Sequence, residues 1–578
     1  MATTSTAGTK GKATPFRQFL DLLSSEKRVI GYIYLYAVFS GLVSLSLPLG
    51  IQSLIGFVSG GELVTSVTVL IFFIVVGVLV VGALQVMQLS LVEHIQQRIF
   101  ATKAFEFSSH LTQLKSNQMA LQNLPELMNR FFDVISLQKG IAKMLTDFSA
   151  AAIQIVFGLI LLSFYHPYFI IFGVLLILIL VLILRLTAPR GMHTSLEEST
   201  YKYRLVNWLE EMARNITIFK VSTHENLSLQ KTDAYTSNYL KAREAHFKVL
   251  ITQYIGFVGF KTVITAALLL MGSLLLVNQE INLGQFVATE IIIILIINAV
   301  EKLLVKLDVV YDVLTSLVKL SAVTDLPMQE KQEANLPVVM EQEGVAVEVR
   351  NVSFTYGGAT REALSQISFT CAPGEKICLA GSEEAGRSTL LQILAGIQTE
   401  YAGTVVLNGL SLQDYGAAGM QGQIGFYLLP SLLFEGTVLE NMTMGQPEVT
   451  LPEVLWALEL VELSEYVQAL LNGLQTVLYS NALNVPVGVA QRLALARSIV
   501  RKPKLLLLDS FIPSVSRVQR ERIAKRILQQ DLPWTVLLLS NDVGIMQLCH
   551  RVLLLQKGQL LQDIQVHQTS KEALQTLV

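Results

Sequence analysis

The sequence predicts a six-span α-helical membrane domain followed by an α/β domain. Three observations carry that prediction. Of 578 residues, 52% are hydrophobic and only 15% are charged, which is far from the balance of a water-soluble chain. The apolar residues gather into long stretches in the first half of the chain. Beyond residue 342 the texture changes, and short β-branched runs, glycine turns and amphipathic segments alternate.

The elements follow in order. Residues 1–28 form a Ser/Thr/Lys-rich tail and an elbow; they lack the apolar core of a cleaved signal peptide and are expected to be cytosolic. A membrane domain is expected over 29–325. A helix needs roughly 20 apolar residues to cross a bilayer. The stretches 29–54, 64–91, 148–164, 169–186, 255–277 and 283–300 meet or approach that length, and the third is expected to begin earlier than it reads. The three short connections, "SGGE", "YHP" and "NQEIN", carry no Lys or Arg, whereas the two long ones are rich in both. Positive residues mark the cytosolic side, so both termini and both long connections are placed there.

The long connections read as helices continuing the spans. In "PELMNRFFDV", Glu126 and Arg130 stand at i,i+4 and Arg130 and Asp133 at i,i+3, spacings at which helical side chains pair. Two ionisable residues fall inside spans. Lys261 lies near a cytosolic end and can snorkel. Glu290 lies deeper; such a carboxylate either faces a polar cavity or stays a neutral, hydrogen-bonded acid at a helix contact. A charged, proline-containing linker is read at 326–342, and the α/β domain at 343–578.

Net charge is −2, so nothing argues for nucleic acid as a partner. The cysteines Cys371, Cys378 and Cys549 have no metal-ligand spacing and read as small core residues.

In the α/β domain, "EKICLAG" reads as a strand, "GSEEAGRST" as a tight turn and "LLQILAG" as a helix. Strand, glycine loop and helix together are the context a phosphate-binding loop requires. "KLLLLDS" is a buried strand run ending in Asp509, a residue type that can hold Mg²⁺ beside a loop hydroxyl.

With these motifs in the order six spans, linker, ATPase-type domain, the chain resembles one half of an ATP-binding cassette (ABC) exporter, from about Pro15 to Val578. The resemblance implies a six-helix ABC exporter membrane domain and an α/β P-loop-type ATPase domain. "NITIFKVSTHE" is similar to a coupling region, and "GQFVATEIIIILI" to the sixth span of bacterial type I secretion exporters of toxins and peptides. The N-terminal peptidase domain of some of those exporters is not expected here. The resemblance also implies ATP and Mg²⁺ as cofactors, a dimer as the assembly (two copies or two different halves), the bilayer as environment and a membrane-fusion adaptor as a partner. The location implied is the bacterial cytoplasmic membrane.

Residue by residue, the resemblance places Tyr356 against adenine and Gly381, Gly386, Arg387, Ser388 and Thr389 around phosphate, with Ser388 and Asp509 as Mg²⁺ contacts. Several positions depart from the family pattern. The loop's middle glycine is Glu384 and its lysine is Arg387. A side chain at a glycine position obstructs the backbone's approach to phosphate. A carboxylate of Glu383 or Glu384 about 5 Å from phosphate would cost about 3 kcal/mol per unit charge. Arg387 keeps the charge but is forked and bulkier than lysine, and is expected to pair with Glu383 or Glu384.

The Mg²⁺- and water-contacting glutamine is Leu429, the general-base glutamate is Ser510, and the switch histidine is Asn541. Serine is no base for water at neutral pH. The signature loop reads "VPVGV", with Pro486, Val487 and Gly488, and the dimer-contacting "SALD" loop reads "PSVS". Both faces of a composite ATP site are altered. The expectation is therefore an exporter-like protein with a pseudo-ATPase domain. The alternatives are an ATP-binding half that pairs with an active one, and a non-transporting assembly or sensor module.

Overall fold

The computed structural model describes residues 15–60, 64–115, 123–221, 226–328, 344–413, 423–429, 433–529, 531, 532 and 534–575. The chain divides into two compact units, with the main boundary between Pro327 and Met328 and Leu114 grouped with the second unit. The linker read at 326–342 lies almost wholly outside the described residues, as do the last residues of "NITIFKVSTHE".

The first unit is all helical. Its helices are α1 (Pro15–Ser25), α2 (Lys27–Ser44), α3 (Ser46–Ser59), α4 (Val64–Thr112), α5 (Leu124–Asn129), α6 (Asp133–Lys143), α7 (Ser149–Tyr165), α8 (Tyr168–Arg214), α9 (Ile216–Val221), α10 (Asn226–Val277), α11 (Leu283–Val305) and α12 (Leu307–Thr324). Among the described residues, six stretches are long and apolar enough to cross a membrane. Helices α4, α8 and α10 run 49, 47 and 52 residues. At 1.5 Å per residue these are about 70–80 Å long, well over twice a bilayer core of about 30 Å. The long connections are thus helical extensions of the spans, as their composition led one to expect.

Two local readings are corrected, and the expected earlier start of the third span is borne out. The first span is not one helix but breaks at Leu45 between α2 and α3. Pro48, in the first turn of α3, has no N–H to donate and its ring crowds the carbonyl of residue 44. The third span begins far earlier, at Leu124, running through a 3₁₀ turn at Arg130–Phe132 and a π turn at Met144–Phe148. That 3₁₀ turn changes the spacing of "PELMNRFFDV". Arg130 lies 3.8 Å from Glu126, but Asp133 is held by Lys202 of α8 at 3.4 Å instead of by Arg130.

Apolar contacts fill the centre of this unit. One cluster joins α7, α8, α10 and α11 through residues such as Leu162, Phe169, Phe257 and Ile292. Another joins α1, α2, α4, α6 and α12 through Phe19, Ile33, Val92, Leu137 and Val313. Phe72, Phe73 and Leu79 of α4 are exposed, as side chains facing lipid would be. Polar ties run through the same bundle. Gln253 of α10 donates to Thr187 of α8 and to the Tyr311 hydroxyl of α12, both at 2.8 Å. Gly191 makes room for that tyrosine, since a Cβ there would stand 2.4 Å from Tyr311 Cζ. Lys261 pairs with Glu301 of α11 at 3.1 Å. Glu290 Oε1 is buried without a hydrogen-bond partner, beside Gly272 of α10.

The second unit is an α/β domain. Its strands are β1 (Val347–Phe354), β2 (Leu364–Cys371), β3 (Lys376–Gly381), β4 (Ala402–Leu407), β5 (Leu410–Ser411), β6 (Ile424–Tyr427), β7 (Gly436–Thr437), β8 (Val477–Leu478), β9 (Leu505–Leu508), β10 (Thr535–Leu539), β11 (Arg551–Gln556) and β12 (Gln559–Gln565). Its helices include α13 (Arg387–Leu394), α14 (Val438–Thr443), α15 (Leu451–Leu460), α16 (Ser464–Ala469), α17 (Val487–Ile499) and α18 (Arg517–Ile527). A six-stranded sheet has the order β12-β11-β3-β10-β9-β6, and a four-stranded sheet the order β2-β1-β4-β5. Strands β11, β3, β10, β9 and β6 are mutually parallel, and β12 is an antiparallel edge.

The runs "ICLA" and "LLLL" are apolar because both faces are buried. Successive strand residues point to opposite sides. Ile377, Leu379, Leu505 and Leu507 join α13 and the four-stranded sheet in one core, while Cys378, Ala380, Leu506 and Leu508 join α15, α17 and α18 in the other. This arrangement puts the loop after β3 at the carboxyl end of a central parallel strand, the usual place for a ligand in such a sheet.

Candidate functional site

The site is built where β3, β9 and β10 end. The last residue of β3, Gly381, and the first helix of the loop, α13, bracket "SEEAG". Gly386 closes the loop at φ +86°, where a Cβ would meet the Ala363 carbonyl at 2.3 Å, so both conformation and space require glycine. Glu384 also takes a left-handed backbone, φ +65°. The loop keeps the turn that a glycine would adopt, at the cost of strain in a residue with a Cβ.

The side chains around the loop bond to one another. Asn541, after β10, accepts from the Gly381 N–H at 3.2 Å and donates to the Gly381 carbonyl at 3.0 Å. The same Oδ1 accepts from Arg387 Nη1 at 2.9 Å. Ser388 donates to Asp509 Oδ1 at 3.0 Å. The Tyr356 and Thr389 hydroxyls lie 2.9 Å apart. Burial lowers the Arg387 pKa, opposed by Cys378, Asp509 and Glu383. Burial raises that of Asp509, opposed by the bond from Ser388 and the charge of Arg387.

The expected pairing of Arg387 with Glu383 or Glu384 does not occur. Both glutamates are exposed, and the guanidinium turns to Asn541 instead. In water an exposed carboxylate gains little from an ion pair, while the half-buried Arg387 meets a fixed amide acceptor. The other positions lie as the sequence order implied. Leu429 packs against the helical-side core and offers no polar atom. Ser510 follows Asp509 with φ +60°. Pro486 caps α17, Val487 is 65% exposed, and Gly488 sits against the Ser514 carbonyl. Glu290 belongs to the other unit and has no part in this constellation.

Some, but not all, of the residue types that hold Mg-ATP for hydrolysis stand at these positions. The Ser388–Asp509 pair has the donor types of a Mg²⁺ site. Arg387 Nη1 donates to Asn541, Ser510 follows Asp509, and position 429 is apolar. Sequence reading missed the Tyr356–Thr389 bond and the arginine and serine that flank the far side of Arg387, Arg520 and Ser540. No local pattern marks them, because Arg520 sits within the basic run "RVQRERIAKR" of α18.

Two family profiles match the chain: "ABC transporter transmembrane region" over residues 30–300 and "ABC transporter" over 364–512. The lactococcin-A transport/processing ATP-binding protein LcnC of Lactococcus lactis is 23% identical over 96% of this chain and 77% of its own length. The transport/processing ATP-binding protein ComA of Streptococcus pneumoniae is 22% identical over 94% of this chain and 76% of its own. The solved structure of a bacterial Atm1-family ABC exporter with ATP bound aligns with a TM-score of 0.84, covering 95% of this chain and 98% of that one at 16% identity. That likeness is one of fold.

Proposed function

From the premise that this chain belongs to the ABC transporters, carrying both their transmembrane region and their ATP-binding domain, we propose that it is an exporter half whose second unit does not hydrolyse ATP. The observation that carries this reading is Asn541, whose one side chain engages both the end of β3 and Arg387. That amide takes up one of the guanidinium donors that phosphate would otherwise use. Ser510, Leu429 and Val487 support the reading, since none can act as a base for water and neither Leu429 nor Val487 offers a side-chain donor.

The membrane unit would work as a dimer in a bacterial cytoplasmic membrane, with both termini cytosolic and an adaptor protein completing an export path. Its cargo is of the peptide class, a choice supported by the names of the relatives LcnC and ComA. Movement between the two halves would then depend on cargo, adaptor or a proton gradient. A second reading, an ATP-binding half paired with an active one, draws on the Ser388–Asp509 bond and the retained left-handed turn at Glu384.

The test is a titration of a fluorescent ATP analogue, with vanadate-sensitive turnover measured on the same purified full-length protein. The first reading expects no saturable binding at micromolar analogue and no turnover. It also expects binding to appear when Glu384→Gly, Arg387→Lys and Asn541→His are combined. Micromolar binding by the unaltered chain, lost in Asp509→Asn, would replace it with the second reading.

A further inference from the structure

Helices α1, α4 and α12 of the first unit enclose a cavity of about 350 Å³, within the range of roughly 300–1,000 Å³ that small-molecule sites occupy. Its apolar lining is Leu22 of α1, Ile99 of α4, and Leu317 and Leu320 of α12. These four side chains belong to the cluster that packs the three helices together, and Leu317 and Leu320, at i and i+3, share one face of α12. The charged lining is Asp21 of α1, Glu26, Arg98 and Lys103 of α4, and Asp325 just past α12. The cavity lies wholly within the first unit, so it does not depend on whether the second unit binds ATP.

The cations of the lining are already paired. Arg98 Nε lies 2.8 Å from Glu26 Oε1, and its Nη1 donates to Oε2 at 3.1 Å. Lys103 lies 2.7 Å from Glu106. Two acids are not paired: among the described residues, neither the Asp21 nor the Asp325 carboxylate has a partner. The lining thus offers free acceptors beside an apolar surface. An anion would meet two free carboxylates. An inorganic cation would leave the four apolar side chains uncovered.

Helix α1 sets this cavity next to lipid. Phe16 and Leu20 are 61% and 49% exposed on α1, while Phe19 is turned into the core. Exposed apolar side chains on an amphipathic helix suit a position in the headgroup region. The first span follows at once, from Lys27.

We propose that this cavity binds one amphiphile bearing a primary ammonium group, its nitrogen held by Asp21 and Asp325 and its apolar part resting on Leu22, Ile99, Leu317 and Leu320. Hydrogen bonds between an ammonium and a carboxylate are among the stronger ones. A lipid with an ethanolamine headgroup and a free alkylamine share this chemistry, and the exposed apolar face of α1 favours the lipid. The bound molecule would fasten α1 to α4 and α12.

The test titrates two probes against the purified full-length protein in an uncharged detergent. One is phosphatidylethanolamine with a dye on an acyl chain, and the other is dodecylamine with the dye at the far end of its chain. The expected result is saturable binding of one phosphatidylethanolamine per chain, with the matching phosphatidylglycerol bound about tenfold more weakly or worse. Asp21→Asn and Asp325→Asn combined should weaken binding by about tenfold or more. Both residues are exposed, so the unfolding midpoint should stay where it is. Thr102→Trp fills the cavity from an exposed position on α4 and should block binding with both carboxylates intact. Dodecylamine binding more tightly than the lipid, and lost in the same variants, would assign the site to a free amine. Absence of saturable binding by either probe, equal binding of phosphatidylglycerol, or binding unchanged in both variants would overturn the proposal.

Discussion

Asn541 makes three hydrogen bonds with one amide. Truncating it strands the Gly381 N–H, the Gly381 carbonyl and Arg387 at the edge of a buried sheet. Asn541→Ala should therefore cost the second unit about 1–3 kcal/mol, the range for unsatisfied buried groups, read as a lower unfolding midpoint. Lys376 gives a second prediction at this scale. It is 1% exposed and donates to the carbonyls of Leu532 and Trp534 at 3.1 and 2.5 Å. Burial pushes its pKa from 10.5 down to about 8. Between those values the folded chain binds fewer protons at this site than the unfolded chain, so stability rises with pH across that window. Below about pH 8 the contribution is flat, because both states are protonated. Unfolding midpoints at intervals from pH 7.5 to 10 should show that rise, and Lys376→Met should remove it. Parallel pH profiles for the two proteins would show the assignment to be wrong.

At the scale of elements, the loop after β3 depends on what touches it from the four-stranded sheet. Gly386 and Gly358 have nearly equal backbone angles, φ +86° and +83°, but a Cβ at Gly386 would meet a carbonyl at 2.3 Å whereas Gly358 has open space. Gly358→Ala should cost only the conformational term, about 1–2 kcal/mol. Gly386→Ala should cost clearly more, because the Ala363 carbonyl must also move; comparison of the two unfolding midpoints separates strain from collision. Equal losses would mean that contact is not what fixes this glycine. Such contrasts also show where the sequence was legible. The runs of β3 and β9 could be read because burial on both faces leaves a nearly unbroken apolar signature, and the six spans because lipid imposes length and composition. The break at Leu45 was in principle readable from Pro48, whose effect on the preceding turn is local. The Asp133–Lys202 pair and the Arg387–Asn541 bond were not, since each joins residues far apart in sequence whose meeting is decided by tertiary packing. The positions of Leu429, Ser510 and Asn541 could be read because strand order fixes where each chain end emerges, whereas their bonding partners could not.

At the scale of the whole molecule, the proposed orientation makes a demand that does not depend on ATP at all. The short turn at Asn278 and the helix α9 lie at opposite ends of α10 and of its antiparallel neighbours, separated by a helix of 52 residues. If positive residues mark the cytosolic side, Asn278 faces outward and Ile218, 69% exposed on α9, faces the cytosol. The native thiols give a silent background, because Cys371, Cys378 and Cys549 are 3%, 0% and 5% exposed. A membrane-impermeant maleimide applied to intact cells should label Asn278→Cys and neither Ile218→Cys nor the unaltered chain. In inverted membrane vesicles Ile218→Cys should label and Asn278→Cys should not. The reversed pattern would put the second unit outside the cytosol, where neither a nucleotide nor a cytosolic partner could reach it, and would remove the exporter reading along with the orientation. Labelling of the unaltered chain would instead mean that the core around β3 opens in the membrane-bound protein, since Cys378 lies at the centre of that strand with no exposed surface.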